Sequence, residues 1–217
     1  GTAGGVRVHG AKAVLRDSVI RNNTSSDGGA VLVDSGLVEN CVISNNTNTA
    51  KAGNLVKDIA GAGATVRGGT LRNCLVVGNR STGGGAQPTA GSLFVKTGSA
   101  YNNTAWANTL STGATNDLYQ ASGTAKNNLA GVFATTGGTA DHNYAGGDPG
   151  FKNPAAGDYT LRGGSPCVNA GDWTVWGATR AEAKAFRDLA GAPRLIGAEV
   201  DQGCFEAQTS FTLLLLR

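Results

Sequence analysis

Ala13-Val14-Leu15-Arg16-Asp17-Ser18-Val19-Ile20-Arg21-Asn22-Asn23-Thr24 returns, almost position for position, as Gly36-Leu37-Val38-Glu39-Asn40-Cys41-Val42-Ile43-Ser44-Asn45-Asn46-Thr47. A third copy is Gly69-Thr70-Leu71-Arg72-Asn73-Cys74-Leu75-Val76-Val77-Gly78-Asn79-Arg80, and a weaker fourth runs from Gly98 to Thr109. Short fifth and sixth copies open at Gly123 and Gly138. The starts are separated by 23, 33, 29, 25 and 15 residues, mostly the range of a solenoid coil. Such irregular intervals point to a constant core with insertions at one corner, at Asn48 to Ala62 and Ser81 to Ala90.

Each copy is preceded by a short apolar segment: Val6 and Val8, Val31 to Val33, Thr65 and Val66, Leu93 to Val95, Leu118 and Tyr119, Val132 and Phe133. One coil is therefore a strand, a glycine turn, a second strand and an asparagine-rich corner. Alternate strand residues face inward, and one coil by itself has nothing to bury them against. Stacking coils at strand spacing pairs every strand above and below and builds a continuous core. Gly and Asn supply the positive φ that sharp corners need. The predicted fold is all-β: a right-handed, single-stranded parallel β-helix over 1–147, a C-terminal cap with one short helix over 148–206, and a tail over 207–217.

Two aligned columns carry further expectations. Asn23, Asn46, Asn79 and Asn108 share one corner position and are placed to form an amide ladder. Several also sit in N-x-Ser/Thr sequons, which read as corner chemistry in preference to glycosylation sites. Ser18, Cys41, Cys74, Asn103 and Asn128 share another position, so Cys41 and Cys74 fall on neighbouring coils. Small residues filling a repeated slot is the favoured reading there; a thiol ladder or a disulfide stays open.

Composition narrows the class. The chain has 217 residues, of which 34 are Gly, 40% hydrophobic and 15% charged, with net charge +3. Lys and Arg are scattered, so nucleic acid is not an expected partner. Four cysteines without a CxxC pair and without a nearby His argue against a zinc site, and no cofactor is implied. Leu213 to Leu216 is too short to span a bilayer, which needs about 20 apolar residues. Gly1 opens in mid-pattern and no signal peptide is visible, which reads as a piece of a longer chain.

Past Asp148 the texture changes. Asp148-Pro149-Gly150-Phe151, Asn153-Pro154-Ala155-Ala156-Gly157-Asp158-Tyr159-Thr160-Leu161, Ser165-Pro166-Cys167 through Ala170-Gly171-Asp172, Asp188-Leu189-Ala190-Gly191-Ala192-Pro193-Arg194 and Asp201-Gln202-Gly203-Cys204-Phe205-Glu206 follow in order. This series resembles the end of the "choice-of-anchor Q" class of bacterial β-helix proteins. Gly28-Gly29-Ala30 and Ile43-Ser44-Asn45-Asn46 resemble the coils of polymorphic autotransporter passengers. The resemblance implies a secreted or surface-displayed bacterial protein attached to the cell envelope. The favoured role is a non-catalytic adhesin, stalk or carbohydrate-binding module contacting a polysaccharide or cell-surface glycan, with a polysaccharide-active enzyme or a purely structural spacer as alternatives. It also implies that Cys167 and Cys204 approach within the cap, where they would close a disulfide. Thr179-Arg180-Ala181-Glu182 has capping-box spacing, predicting a helix from about Arg180 to Leu189 that covers the open end of the solenoid.

β-Helix folds also host polysaccharide lyases and hydrolases, which need clustered carboxylates with His or a basic residue. Asp17, Asp27, Asp34, Glu39, Asp58, Asp117 and Asp141 read as isolated, so no catalytic residue is assigned and the reading leans away from an enzyme. The most site-like pair is Asp141-His142, although His142 aligns with corner residues Asn40, Asn73, Asn102 and Asn127. Trp106, Trp173 and Trp176 are the aromatic candidates for stacking on sugar, with packing against the helix the competing role of the last two.

Overall fold

The computed structural model describes residues 3–50, 61–82 and 92–207. The insertions at 51–60 and 83–91 and the tail from 208 lie outside the described residues. The chain winds through six coils as a parallel β-helix with three six-stranded sheets, each taking one strand per coil. The first sheet stacks Val6–Val8, Val31–Val33, Ala64–Val66, Leu93–Val95, Leu118–Gln120 and Phe133–Thr135. Val8, Val33, Val66 and Val95 lie in one register column, as the repeat requires.

The second sheet runs from Val14–Arg16 to Thr139–Asp141, and the third from Val19–Arg21 to Tyr144–Ala145. Their inward residues shrink along the axis. Leu15, Val38 and Leu71 give way to Ala100, Ala125 and Ala140 in the second. Ile20, Ile43 and Val76 give way to Ala105, Ala130 and Ala145 in the third. The first sheet compensates, because Ala64 is followed by Leu93, Leu118 and Phe133, which keeps the interior filled.

The corners are set by backbone chemistry. Between the second and third sheets one residue per coil is left-handed: Asp17, Asn40, Asn73, Asn102, Asn127 and His142, with φ from 49° to 58° among the left-handed Asn, Asp and His residues. Short polar side chains tolerate this region best, and His142 is the exception in the series. Between the first and second sheets the column is glycine. At Gly123, φ is 72° and a Cβ would sit 2.2 Å from the Gly98 carbonyl oxygen, so both conformation and stacking distance exclude a side chain.

The amide ladder is continuous. Asn46 Oδ1 accepts the Asn23 N–H at 2.9 Å, Asn79 Oδ1 accepts Asn46 at 3.0 Å, and Asn108 Oδ1 accepts Asn79 at 2.9 Å. Asp117 ends the run, one oxygen accepting Asn108 N–H at 2.8 Å and the other Val132 N–H at 3.0 Å. Burial pushes the Asp117 carboxyl above its ordinary value despite these donors.

Residues 148–207 depart from the predicted arrangement. They lie along the flank of coils three to six and do not cover the final coil. Asn73 donates to the Arg187 carbonyl, Asn102 to that of Asp201, Asn127 to that of Asp172, and Gln202 to that of His142. Thr135, Thr139, Ala140 and Ala145 of the sixth coil are exposed. The reason is that the left-handed corner column turns a row of Asn amides outward, and these are satisfied by the carbonyls of the returning chain. Coverage follows the same gradient on the third sheet, where Val19 in the first coil is 63% exposed and Leu129 in the fifth is fully buried.

The helix spans Arg180–Ala185, shorter than predicted. Thr179 Oγ1 accepts the Glu182 N–H at 3.2 Å and Glu182 accepts Ala178 N–H at 2.7 Å, giving the expected cap. Phe186 is already extended and leans on Trp176 with ring centroids 5.2 Å apart, while Leu189 lies beyond the helix. The flank is anchored by fully buried Arg194, which donates to the carbonyls of Asp201 at 2.6 Å and Gly203 at 2.8 Å and lies 3.8 Å from Glu206. Asp188 accepts from Ala192 and Glu206, and Asp201 from Asn169 and Ala207. Burial pushes Glu206 up to about 8 against the pull of Arg194, and raises Asp201 as well.

Candidate functional site

Where the flank meets coils five and six, a cleft of about 450 Å³ is lined by His142, Asn169, Ala170, Gly171, Asp172, Trp173 and Glu199. Coil stacking sets a charged pair beside it. Lys126 and Asp141 are register partners on adjacent strands, so the ammonium stands 3.5 Å from the carboxylate. His142, one residue on, takes the left-handed corner, and its Nδ1 lies 2.9 Å from Asp141.

The returning chain supplies the remainder. Asn127 accepts the Asp172 N–H at 2.8 Å and donates to the Asp172 carbonyl, fixing that residue to the fifth coil. Asp172 then faces the same Lys126 at 3.8 Å and caps the turn Trp173–Trp176 through Thr174. Glu199 lies against the Trp173 N–H at 3.4 Å, and the Arg180 guanidinium sits 5.1 Å above the Trp173 ring and 3.4 Å from Glu199.

Electrostatics follow from this geometry. Desolvation is the largest influence on Asp141 and raises it, but the His142 hydrogen bond and the His142 and Lys126 charges together hold it below its ordinary value. Asp172 has the same balance, with Thr174 hydrogen bonds and Lys126 prevailing over desolvation. Both are ionised at neutral pH. The cleft thus presents the Asp172 and Glu199 carboxylates, the His142 imidazole and the Trp173 indole, with the Lys126–Asp141 pair just behind them. Hydroxyl-rich ligands suit such a lining, with carboxylates and amide as acceptors, Lys126 as donor and the ring as an apolar wall.

The seven named candidates separate clearly. His142 and Trp173 line the cleft, with Asp141 against His142. Trp176 is 4% exposed, donates to Asn102 at 2.8 Å and packs on Phe186. Trp106 packs edge-on against Phe151 at 5.1 Å, beneath the flank. Cys167 and Cys204 are buried free thiols in different surroundings: Cys167 packs with Leu129, Phe151 and Leu161, while Cys204 contacts Thr104. The expected bond is therefore not made here. Burial pushes both thiols up to about 12.

Lys126, Asp172 and Glu199 escaped the sequence reading as site members. Lys126 was within reach, because its place before the fifth corner is that of Asp141 before the sixth. Asp172 and Glu199 belong to unrepeated chain, where no register locates them. Among the described residues no set of three or more His, Cys, Asp or Glu is placed to hold a metal, and no helix is long and apolar enough to cross a membrane.

The fold and this cleft define a parallel β-helix protein with a polar, indole-walled site on its flank. Comparison with protein-family models, with curated proteins and with solved structures finds no match.

Proposed function

We propose that the chain is a non-catalytic β-helix protein of the bacterial cell surface or exterior that binds a glycan in the flank cleft. The observation that carries this reading is the convergence of His142, Asp172 and Glu199 around Trp173, with the Lys126–Asp141 pair alongside, from four separate stretches of chain. A solenoid serving only as a spacer has no need of such a cleft. The surface location and the choice-of-anchor Q-type assignment rest on the ordered C-terminal motifs, whose Arg194, Asp201 and Glu206 form the buried anchor of the flank.

The test is a glycan array on the purified chain, repeated with Trp173→Ala and Lys126→Ala. Binding that drops at least about tenfold in both variants supports the reading, as expected for lost stacking and a lost charged donor. Retention of full binding by both sinks it. A polysaccharide-active enzyme is the second reading, favoured by the Asp141–His142 contact at 2.9 Å beside Lys126, a pairing able to hold one imidazole nitrogen ready as a base. Release of reducing ends or unsaturated products from any polymer, abolished by His142→Gln, would replace binding with turnover.

A further inference from the structure

Cys41 and Cys74 occupy consecutive levels of a column that runs down all six coils as Ser18, Cys41, Cys74, Asn103, Asn128 and Asn143. In the asparagine levels each amide links two coils. Asn103 Oδ1 accepts the Cys74 N–H at 3.0 Å, Asn128 Oδ1 that of Asn103 at 3.0 Å, and Asn143 Oδ1 that of Asn128 at 2.9 Å. In the upper levels sulfur takes the acceptor's place: the Ser18 N–H is directed at Cys41, and the Cys41 N–H at Cys74. Each thiol donates to a carbonyl of its own coil at 3.2 Å, Cys41 to Glu39 and Cys74 to Arg72. Both side chains are fully buried.

Pairing on either side fixes their separation. Glu39 pairs with Arg72 and Val42 with Leu75, so the cysteines are held at strand spacing, about 4.8 Å. A disulfide accepts Cα separations of roughly 4.4–6.8 Å. We propose that Cys41 and Cys74 form a modification site, a dithiol that closes to an inter-coil disulfide by exchange with a small-molecule disulfide such as oxidised glutathione. The Cys41 thiolate attacks one sulfur of that disulfide and expels one glutathione thiolate. The Cys74 thiolate then attacks the mixed disulfide at Cys41 and expels the second. Two electrons pass from the cysteines to glutathione, and the two cysteine protons end on the two glutathione thiols.

The order of attack follows from the surroundings. The hydrogen bond from Cys74 holds the Cys41 thiol below its ordinary value, whereas burial keeps Cys74 well above. Access needs a local opening of the coil that carries Ser18, one level from Cys41. That coil is lightly covered, with Val14 48% and Val19 63% exposed.

The experiment oxidises the full chain with oxidised glutathione, alkylates it after denaturation, and maps the peptides by mass spectrometry, with a reduced sample alongside. A Cys41–Cys74 linked peptide is expected, two hydrogens lighter than the separate thiols, with Cys167 and Cys204 recovered alkylated. The Tm of the oxidised chain rises by about 5–10 °C. Cys41→Ser abolishes the link and keeps the fold, because serine already fills this slot at Ser18. Recovery of both cysteines alkylated, a glutathione adduct that never resolves, or a Cys74–Cys204 link would each overturn the proposal; the wild-type map decides even if the variant misfolds.

Discussion

In the solenoid wall, Asn23, Asn46, Asn79 and Asn108 hand one hydrogen-bond pattern from coil to coil until Asp117 closes it. Along the flank, the single guanidinium of Arg194 holds the carbonyls of Asp201 and Gly203 and stands beside Glu206, which is tied in turn to Asp188 and Asp201. Both regions bury polar groups completely. The wall does so with neutral amides, each satisfied by the next coil, so a defect is confined to its neighbours. The flank does so with unrepeated charges, so one substitution leaves several groups without a counterpart. Repetition spreads risk and a lone cation concentrates it.

Removing that cation is the severest way to press the contrast. Arg194→Met leaves the buried carbonyls of Asp201 and Gly203 without their shared donor and buried Glu206 without its cationic neighbour, at a cost of about 3–5 kcal/mol. Thermal unfolding should fall accordingly, and limited proteolysis should cut first within 148–207 while the coils stay protected. Equal protection of both regions would mean that the flank is held by something other than this cluster.

A single rung of the wall should cost less. Asn79→Ala strips the acceptor from Asn46 and the donor to the Ile43 carbonyl, for about 1–3 kcal/mol. Hydrogen exchange should quicken at Asn46 and its neighbours and stay slow near Asn128. Uniform acceleration through all six coils would show the ladder to be one cooperative unit.

The two regions also differ in pH response. Glu206 has a folded-state value of about 8, above the roughly 4.3 of an unfolded chain. Its stabilising neutral form is fully present below the unfolded value, and that contribution is lost as pH rises through about 8. Asp141 and Asp172 have depressed folded-state values, so their contribution is lost as pH falls through those values. Release of the flank, followed by Trp fluorescence, should therefore grow as pH rises toward about 8, level off above it, and lose that rise in Glu206→Gln. An unchanged slope in that variant would assign the response to another group.

The smallest effect belongs to the cleft. The side chains of Asp141 and His142 are each 45% exposed, so Asp141→Asn should change stability by less than about 1 kcal/mol while altering ligand binding. A large loss of Tm would make the pair structural.

Much of this was legible before any coordinates. Val33, Val66 and Val95 stack because repeated apolar residues admit one register, and Asn46, Asn79 and Asn108 line up because the corner conformation admits few residue types. Asp141 and His142 stood out by chemistry alone. Lys126 became a site member only through the stacking that sets it beside Asp141. The resting place of residues 148–207 was misjudged, because a capping box locates a helix without saying which surface it will meet.

Sequence by itself determined the solenoid, its coil boundaries, its corner residues and its two polar columns, because each is a local preference repeated at fixed intervals. Tertiary structure alone decided that the final segment returns along the flank, that Cys167 and Cys204 face different surroundings, and that Asp172 and Glu199 complete a cleft with Lys126. Those outcomes depend on unrepeated contacts between residues distant in the chain, such as Asn127 with Asp172 and Arg194 with Asn73, and no local period encodes them.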